Sequence, residues 1–180
     1  AIGALVGSDT LTGTPTRVTG ETVGEYTINQ GTVTNTNNTN YDITYTTAKL
    51  TINAKPITVT AEAKTKTYGE NDPALTYTTA VGALVGNDTL TGALTRVAGI
   101  TVGEYTINQG TVDNLNYTIS YVSDKLTINA KPITVTAVAK AKTYGDPDPT
   151  LTYTTAIGAL VGSDTLTGTP TRVTGETVGE

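Results

Sequence analysis

KLTINAKPITVTA, residues Lys49–Ala61, returns unchanged at Lys125–Ala137. In both copies apolar residues alternate with threonine: Leu50 and Ile52 ahead of the Asn53-Ala54 step, then Ile57, Val59 and Ala61 beyond it. A period of two is the signature of a strand with one face in a core and one in water. Pro56 and Pro132 cannot donate to a strand ladder. They are therefore expected to break it there and to mark where one domain ends and the next begins.

Working outward, the rest of the chain repeats as well. Residues 1–25 are identical to residues 156–180, and residues 80–104 differ from them at six positions. The spacings are 79 and then 76 residues, because TNTNNTN (Thr34–Asn40) stands where the later copy has DNLN (Asp113–Asn116). A length change of that kind belongs in a surface loop. The expected division is a partial repeat over 1–54, a complete domain over 55–130 and a partial repeat over 131–180. The chain does not begin with Met, and both ends fall inside a repeat, so a window on a longer array is expected.

Within the complete unit the same alternation recurs at Leu75/Tyr77, Tyr105/Ile107, Tyr117/Ile119/Tyr121 and Leu126/Ile128, and less regularly around Leu94–Val97. Gly, Asn, Asp and Pro separate these runs, at Tyr68–Pro73, Gly86–Asp88, Gly99, Gly103 and Asn108–Gly110. The stretch around Ala83–Leu90 has room for one short helical turn. The expected class is all-β: tandem small β-domains in an elongated rod. An immunoglobulin-like sandwich is favoured over a β-grasp-like sheet with a short helical turn, since both accept six or seven short strands. The joints have no Gly/Ser length and carry Pro, which argues against flexible linkers.

Composition removes whole classes of chemistry. There is no Cys, His, Met, Trp or Phe. Thiol nucleophiles, disulfides, zinc–thiolate sites, Ser–His triads and His-ligated metals are excluded. A net charge of −5 with only 11 basic residues makes nucleic acid an unsuitable partner. No apolar stretch is long enough for a membrane helix, so no direct membrane insertion is expected. Threonine fills 43 of the 180 positions, which suits exposed strand faces because Thr is both β-branched and polar.

Several pieces taken together resemble a known repeat. They are Tyr144-Gly145-Asp146 with Pro149, Gly158-Ala159-Leu160-Val161, Asp164-Thr165-Leu166-Thr167-Gly168, Gly103-Glu104-Tyr105 and Asn116-Tyr117. The combination, spread over essentially the whole chain, resembles the MBG/YDG-type repeat of large bacterial surface and secreted adhesins, filamentous-haemagglutinin-like proteins among them. Glu70 departs from the pattern, which often has Asp after Tyr-Gly. The resemblance implies an extracellular, mainly β stalk module on a bacterial surface or secreted from it, with no catalytic residues to carry over.

Each candidate site has a plain structural counterpart. Asp146 and Asp148 are close enough in sequence to suggest paired acid–base carboxylates. They lie in a Gly-Asp-Pro-Asp-Pro turn, where Asp is favoured for local hydrogen bonds, so no catalytic residue is assigned and no enzyme is expected. Structural calcium is the stronger rival, with Glu70, Asn71, Asp72, Asp146 and Asp148 as oxygen donors, though the carboxylates are sparse for a cage of six to eight ligands. No other cofactor is expected. Glycans are candidate adducts at Thr32, Thr34, Thr36 and Thr39, and at the sequons of Asn37, Asn87 and Asn116. Lys125, Asn129 and Glu104 are the residue types of an isopeptide crosslink, which needs a buried lysine; ordinary surface polarity is the simpler reading. Tyr68 and Tyr144 read as packing anchors, and Tyr105 as a corner tyrosine.

The reading that follows is a non-enzymatic structural repeat: an extracellular stalk or filament whose partners are neighbouring repeats of the same chain. One alternative is a carbohydrate- or host-protein-binding module, which needs exposed tyrosines, with Tyr41, Tyr45, Tyr117 and Tyr121 as test cases. The other is a fibre of like chains that exchange strands.

Overall fold

The computed structural model describes residues 5–178. Twelve strands and no helix are found among them: β1 (Thr16–Arg17), β2 (Gly24–Asn29), β3 (Ala48–Ile52), β4 (Lys55–Ala61), β5 (Lys64–Thr67), β6 (Tyr77–Thr79), β7 (Thr95–Arg96), β8 (Gly103–Asn108), β9 (Tyr117–Val122), β10 (Asp124–Asn129), β11 (Val135–Ala137) and β12 (Tyr153–Thr155). The protein is an all-β chain of tandem small domains.

The central unit holds β4–β10 in two sheets, ordered β6-β4-β9 and β5-β10-β8-β7. Two chain segments serve both sheets. Lys55–Thr67 forms β4, bends at Glu62-Ala63 and continues as β5. Tyr117–Asn129 forms β9, bends at Ser123 and continues as β10. The two segments run parallel side by side, from Lys55↔Tyr117 in one sheet to Asn129↔Thr67 in the other, with the same register offset in both. At the first corner the Glu62 N–H donates to the Thr76 carbonyl at 3.0 Å. Ala61, at the end of β4, packs with Ile107 and Leu126 from the opposite sheet and so joins the two layers.

The alternation read from KPITVTA places the core. Ile57, Val59 and Ala61 are buried, and Thr58 is exposed between them. Ile57, Val59 and Tyr117 gather Tyr77, Leu84, Leu90, Ile119 and Tyr121, and Tyr121 also touches the second cluster. Val59, Ile107, Val112, Leu126 and Ile128 are fully buried. Each such side chain contributes about 1.5–3 kcal/mol.

Two expectations need correction. Pro56 does not break the ladder: it lies inside β4, opposite Thr118. The Lys55 N–H points to β9 and bonds Asn116 O at 2.9 Å. The next residue therefore faces the other way, towards β6, which covers only Val59–Ala61. A residue without an N–H loses nothing there. The stretch around Ala83–Leu90 is not helical but two tight turns, closed by Ala83 N–H to Ala80 O and Asp88 N–H to Val85 O, both 3.0 Å.

The flanking repeats reproduce parts of this plan. β1, β2 and β3 pair as β7, β8 and β10 do, and β11 with β12 as β4 with β6. Tyr41–Tyr45 matches β9 in sequence, but it has no partner strand among the described residues and is not a strand.

Candidate functional site

The Tyr-Gly-x turn carries the acidic candidates. It closes through Glu70 N–H to Thr67 O at 3.0 Å, and the Glu70 carboxylate accepts the Thr67 N–H at 2.7 Å. The next copy closes alike, through Asp146 N–H to Thr143 O at 3.0 Å. Asp72 sits between Lys66 at 2.8 Å and Arg96 at 2.5 Å. The Arg96 guanidinium, then Lys66, holds its carboxyl down at about 2. Asp148 repeats the arrangement, with Arg172 at 2.6 Å and Lys142 at 2.7 Å, and is likewise held at about 2. Glu176 joins this group through Lys142 and Arg172. These two carboxylates face cations instead of a shared oxygen cage, and Asn71 and Asp146 are exposed in the same turns. Among the described residues no group of three or more acidic side chains is placed to hold a metal ion.

Four of the tyrosines are structural anchors of two kinds, whereas Tyr144, expected as a packing anchor, is exposed. In the first kind, the Tyr117 hydroxyl donates to Asp88 Oδ2 at 2.6 Å and accepts the Val85 N–H at 2.8 Å. Desolvation first, then Asp88, raises this phenol above its usual pKa. Tyr41, Asp9 and Val6 build the same link in the first repeat. In the second kind, Tyr105 donates to Thr101 O at 2.8 Å, four residues upstream, as a corner tyrosine does. Arg96 lies 5.4 Å from the centre of its ring and bonds Val97 O and Gly99 O. Tyr26, Thr22 and Arg17 match this set. The arginines were not singled out from sequence; their signal is the recurrence of Thr-Arg-Val ahead of each Gly-Glu-Tyr. Tyr45 and Tyr121 are half-buried, and of the ten tyrosines only Tyr144 is exposed.

The remaining candidates lie apart. Lys125 and Glu104 form an exposed ion pair, as Lys49 and Glu25 do. Thr32, Thr36, Asn37, Thr39 and Asn87 are exposed, while Thr34 is half-buried. The Asn37 amide donates to Thr32 O at 2.7 Å. Asn38, which sequence reading passed over, is the buried polar residue of the first repeat, 8% exposed.

Asn116 stands at a junction. Its backbone carbonyl takes the Lys55 N–H at the start of the central unit, and its side-chain Oδ1 takes the Val23 N–H of the first repeat at 3.0 Å. Only Asn53 and Ala54 separate β3 from β4. At the other junction a cleft of about 220 Å³ is lined by Tyr68, Val102 and Ala130 of the central unit and by Leu160, Val161 and Asp164 of the next.

The family model of the MBG domain (YGX type) matches residues 1–51, 57–127 and 133–180. No curated protein and no solved structure matches the chain.

Proposed function

We propose a mechanical, non-enzymatic role for this chain, which belongs to the YGX-type MBG domain family. The repeats form a stalk or filament of a bacterial surface adhesin, outside the cell. Their work is to hold successive β-domains at a fixed spacing. The observation that carries this reading is the joint at Asn53-Ala54. Two residues link β3 to β4, and Asn116 binds both sides of the step. A linker of that length without Gly or Ser leaves little slack.

Other observations support the same reading. A carbohydrate- or host-protein-binding module would draw on exposed aromatic rings, and Tyr144 alone offers one. A strand-exchanging fibre would need an unpaired strand, and β4–β10 all pair within the central unit. Thr-rich faces without cysteine suit a surface that stays soluble in any redox condition.

Antibodies raised against the central repeat test the placement. They should label intact cells producing the native protein. Labelling only after lysis would overturn the extracellular part of the reading.

A further inference from the structure

The chain shows one Tyr-Gly pair covered and one uncovered. Tyr68 is half-buried and lies with Val161 and Asp164 in the cleft between the second and third repeats. Its phenol is pushed up, chiefly by the neighbouring Asp164 carboxylate and then by desolvation. A Cβ built on Gly69 would stand 2.6 Å from Val161 Cγ2 and 3.1 Å from Cγ1. Val161 therefore packs directly on the glycine backbone. Tyr144-Gly145 is the same pair one repeat later. Tyr144 is 74% exposed, and a Cβ on Gly145 would meet nothing within 4 Å.

The opposite surface varies in step. Val6, Val85 and Val161 occupy equivalent positions of GALVG. Val161, which faces Tyr68-Gly69, is half-buried; Val85 is 58% exposed and Val6 72%. Burial of this valine thus follows whether a Tyr-Gly pair reaches it. The sequence of the segment does not explain the difference, because residues 1–25 and 156–180 are identical.

We propose that the Tyr-Gly pair of each repeat is a docking element for the next repeat, in which the tyrosine hydroxyl takes the aspartate of Val-Gly-x-Asp and the bare glycine backbone seats the valine. Tyr144-Gly145 is then an open docking surface. Its occupant is the Gly-Ala-Leu-Val-Gly-x-Asp segment of a further repeat. The aspartate has one carboxylate oxygen for each of two tyrosines. At Asp88, Tyr117 of the same repeat uses Oδ2, which leaves Oδ1 for a tyrosine from the preceding one. The proposal deepens the stalk reading by naming what stiffens the joint, and it stands or falls separately from where the protein resides.

The chain has no cysteine, so spin labels can be attached in the full chain through Thr118→Cys in the central unit and Thr154→Cys in the third. Both sites are exposed. The labelled protein should give a narrow distance distribution. Gly69→Ala and Gly145→Ala share the cost of a left-handed backbone, with φ of 89° and 91°, but only Gly69 has a neighbour to displace. The narrow distribution should be lost in Gly69→Ala and in Val161→Ala, and kept in Gly145→Ala. Amide exchange at Leu126 and Ile128 reports whether the central unit stays folded. Should Gly69→Ala unfold it, Val161→Ala, altered in the other repeat, decides alone. A narrow distribution in Val161→Ala, or equal broadening in Gly145→Ala, would overturn the proposal.

Discussion

Asn38 does for Thr12 with its side chain what Asp113 does for Thr91 with its backbone. In the central repeat Thr91 and Asp113 exchange N–H···O bonds of 2.9 and 3.0 Å. In the first repeat Asn38 Oδ1 accepts the Thr12 N–H at 2.7 Å, and Asn38 Nδ2 donates to Thr12 O at 3.0 Å. The longer loop Thr34–Asn40 carries its backbone away from this position, and a side-chain amide restores both bonds. Asn38→Leu should leave the Thr12 N–H and the Thr12 and Thr34 carbonyls without this part-buried partner, at about 1–3 kcal/mol. Exchange of the Thr12 amide should quicken by about tenfold or more, at 1.4 kcal/mol per decade. Unchanged exchange would mean that the amide does not hold the loop.

Gly99 lies against the Tyr105 ring: an added Cβ would sit 1.9 Å from Cε1. Gly99→Ala should displace the ring and cost about 1–3 kcal/mol. Tyr105→Phe removes only the hydroxyl's bonds to Thr101 O and Thr101 Oγ1 and should cost about 0.5–1.5 kcal/mol. Urea unfolding of the two variants checks the order. An equal or reversed order would show that ring placement is not what the glycine serves.

Leu126 and Val59 are fully buried in different sheets. Leu126→Ala should cost about 2–5 kcal/mol, a large part of what a unit this small has to lose. Loss of the β10 and β8 amides from protection, measured by hydrogen exchange, is the expected result. Retained protection would place the core elsewhere.

Asp72 has a folded-state pKa below its ordinary value, 3.8 falling to about 2, because Arg96 and Lys66 favour its charged form. The stability it adds is present above its ordinary pKa and is lost as pH falls through the folded one. Thermal melts of the native chain should therefore drop between about pH 4 and 2, and Asp72→Asn should flatten part of that drop. Screening at this partly exposed site keeps the effect modest. Parallel curves for the two proteins would contradict it.

Much of the fold is legible in the sequence where the physics is local. The alternation of Ile57, Val59 and Ala61 gives strand and face directly, and the repeats give the unit. Turn chemistry marks Tyr68–Pro73 as a turn, but Glu70 reads from sequence as a calcium donor, and its local bond to the Thr67 N–H is visible only in the fold. What escapes is pairing over long distances. Nothing in Lys55–Thr67 states that it runs parallel to Tyr117–Asn129, because the two are brought together by the whole intervening chain. Pro56 misleads for the same reason, since its effect depends on which neighbour its missing N–H would have faced. Asp72 is recognisable as a turn acid, but Arg96, its partner 24 positions away, is not. Tyr68 is recognisable as an anchor, but not that it anchors the following repeat.

Backbone amide relaxation across the intact chain tests the central claim most directly, that successive repeats are held without slack. The account predicts a single rotational correlation time for the central and third repeats and a common alignment tensor in a weakly oriented medium. Separate correlation times, or two unrelated tensors, would contradict it.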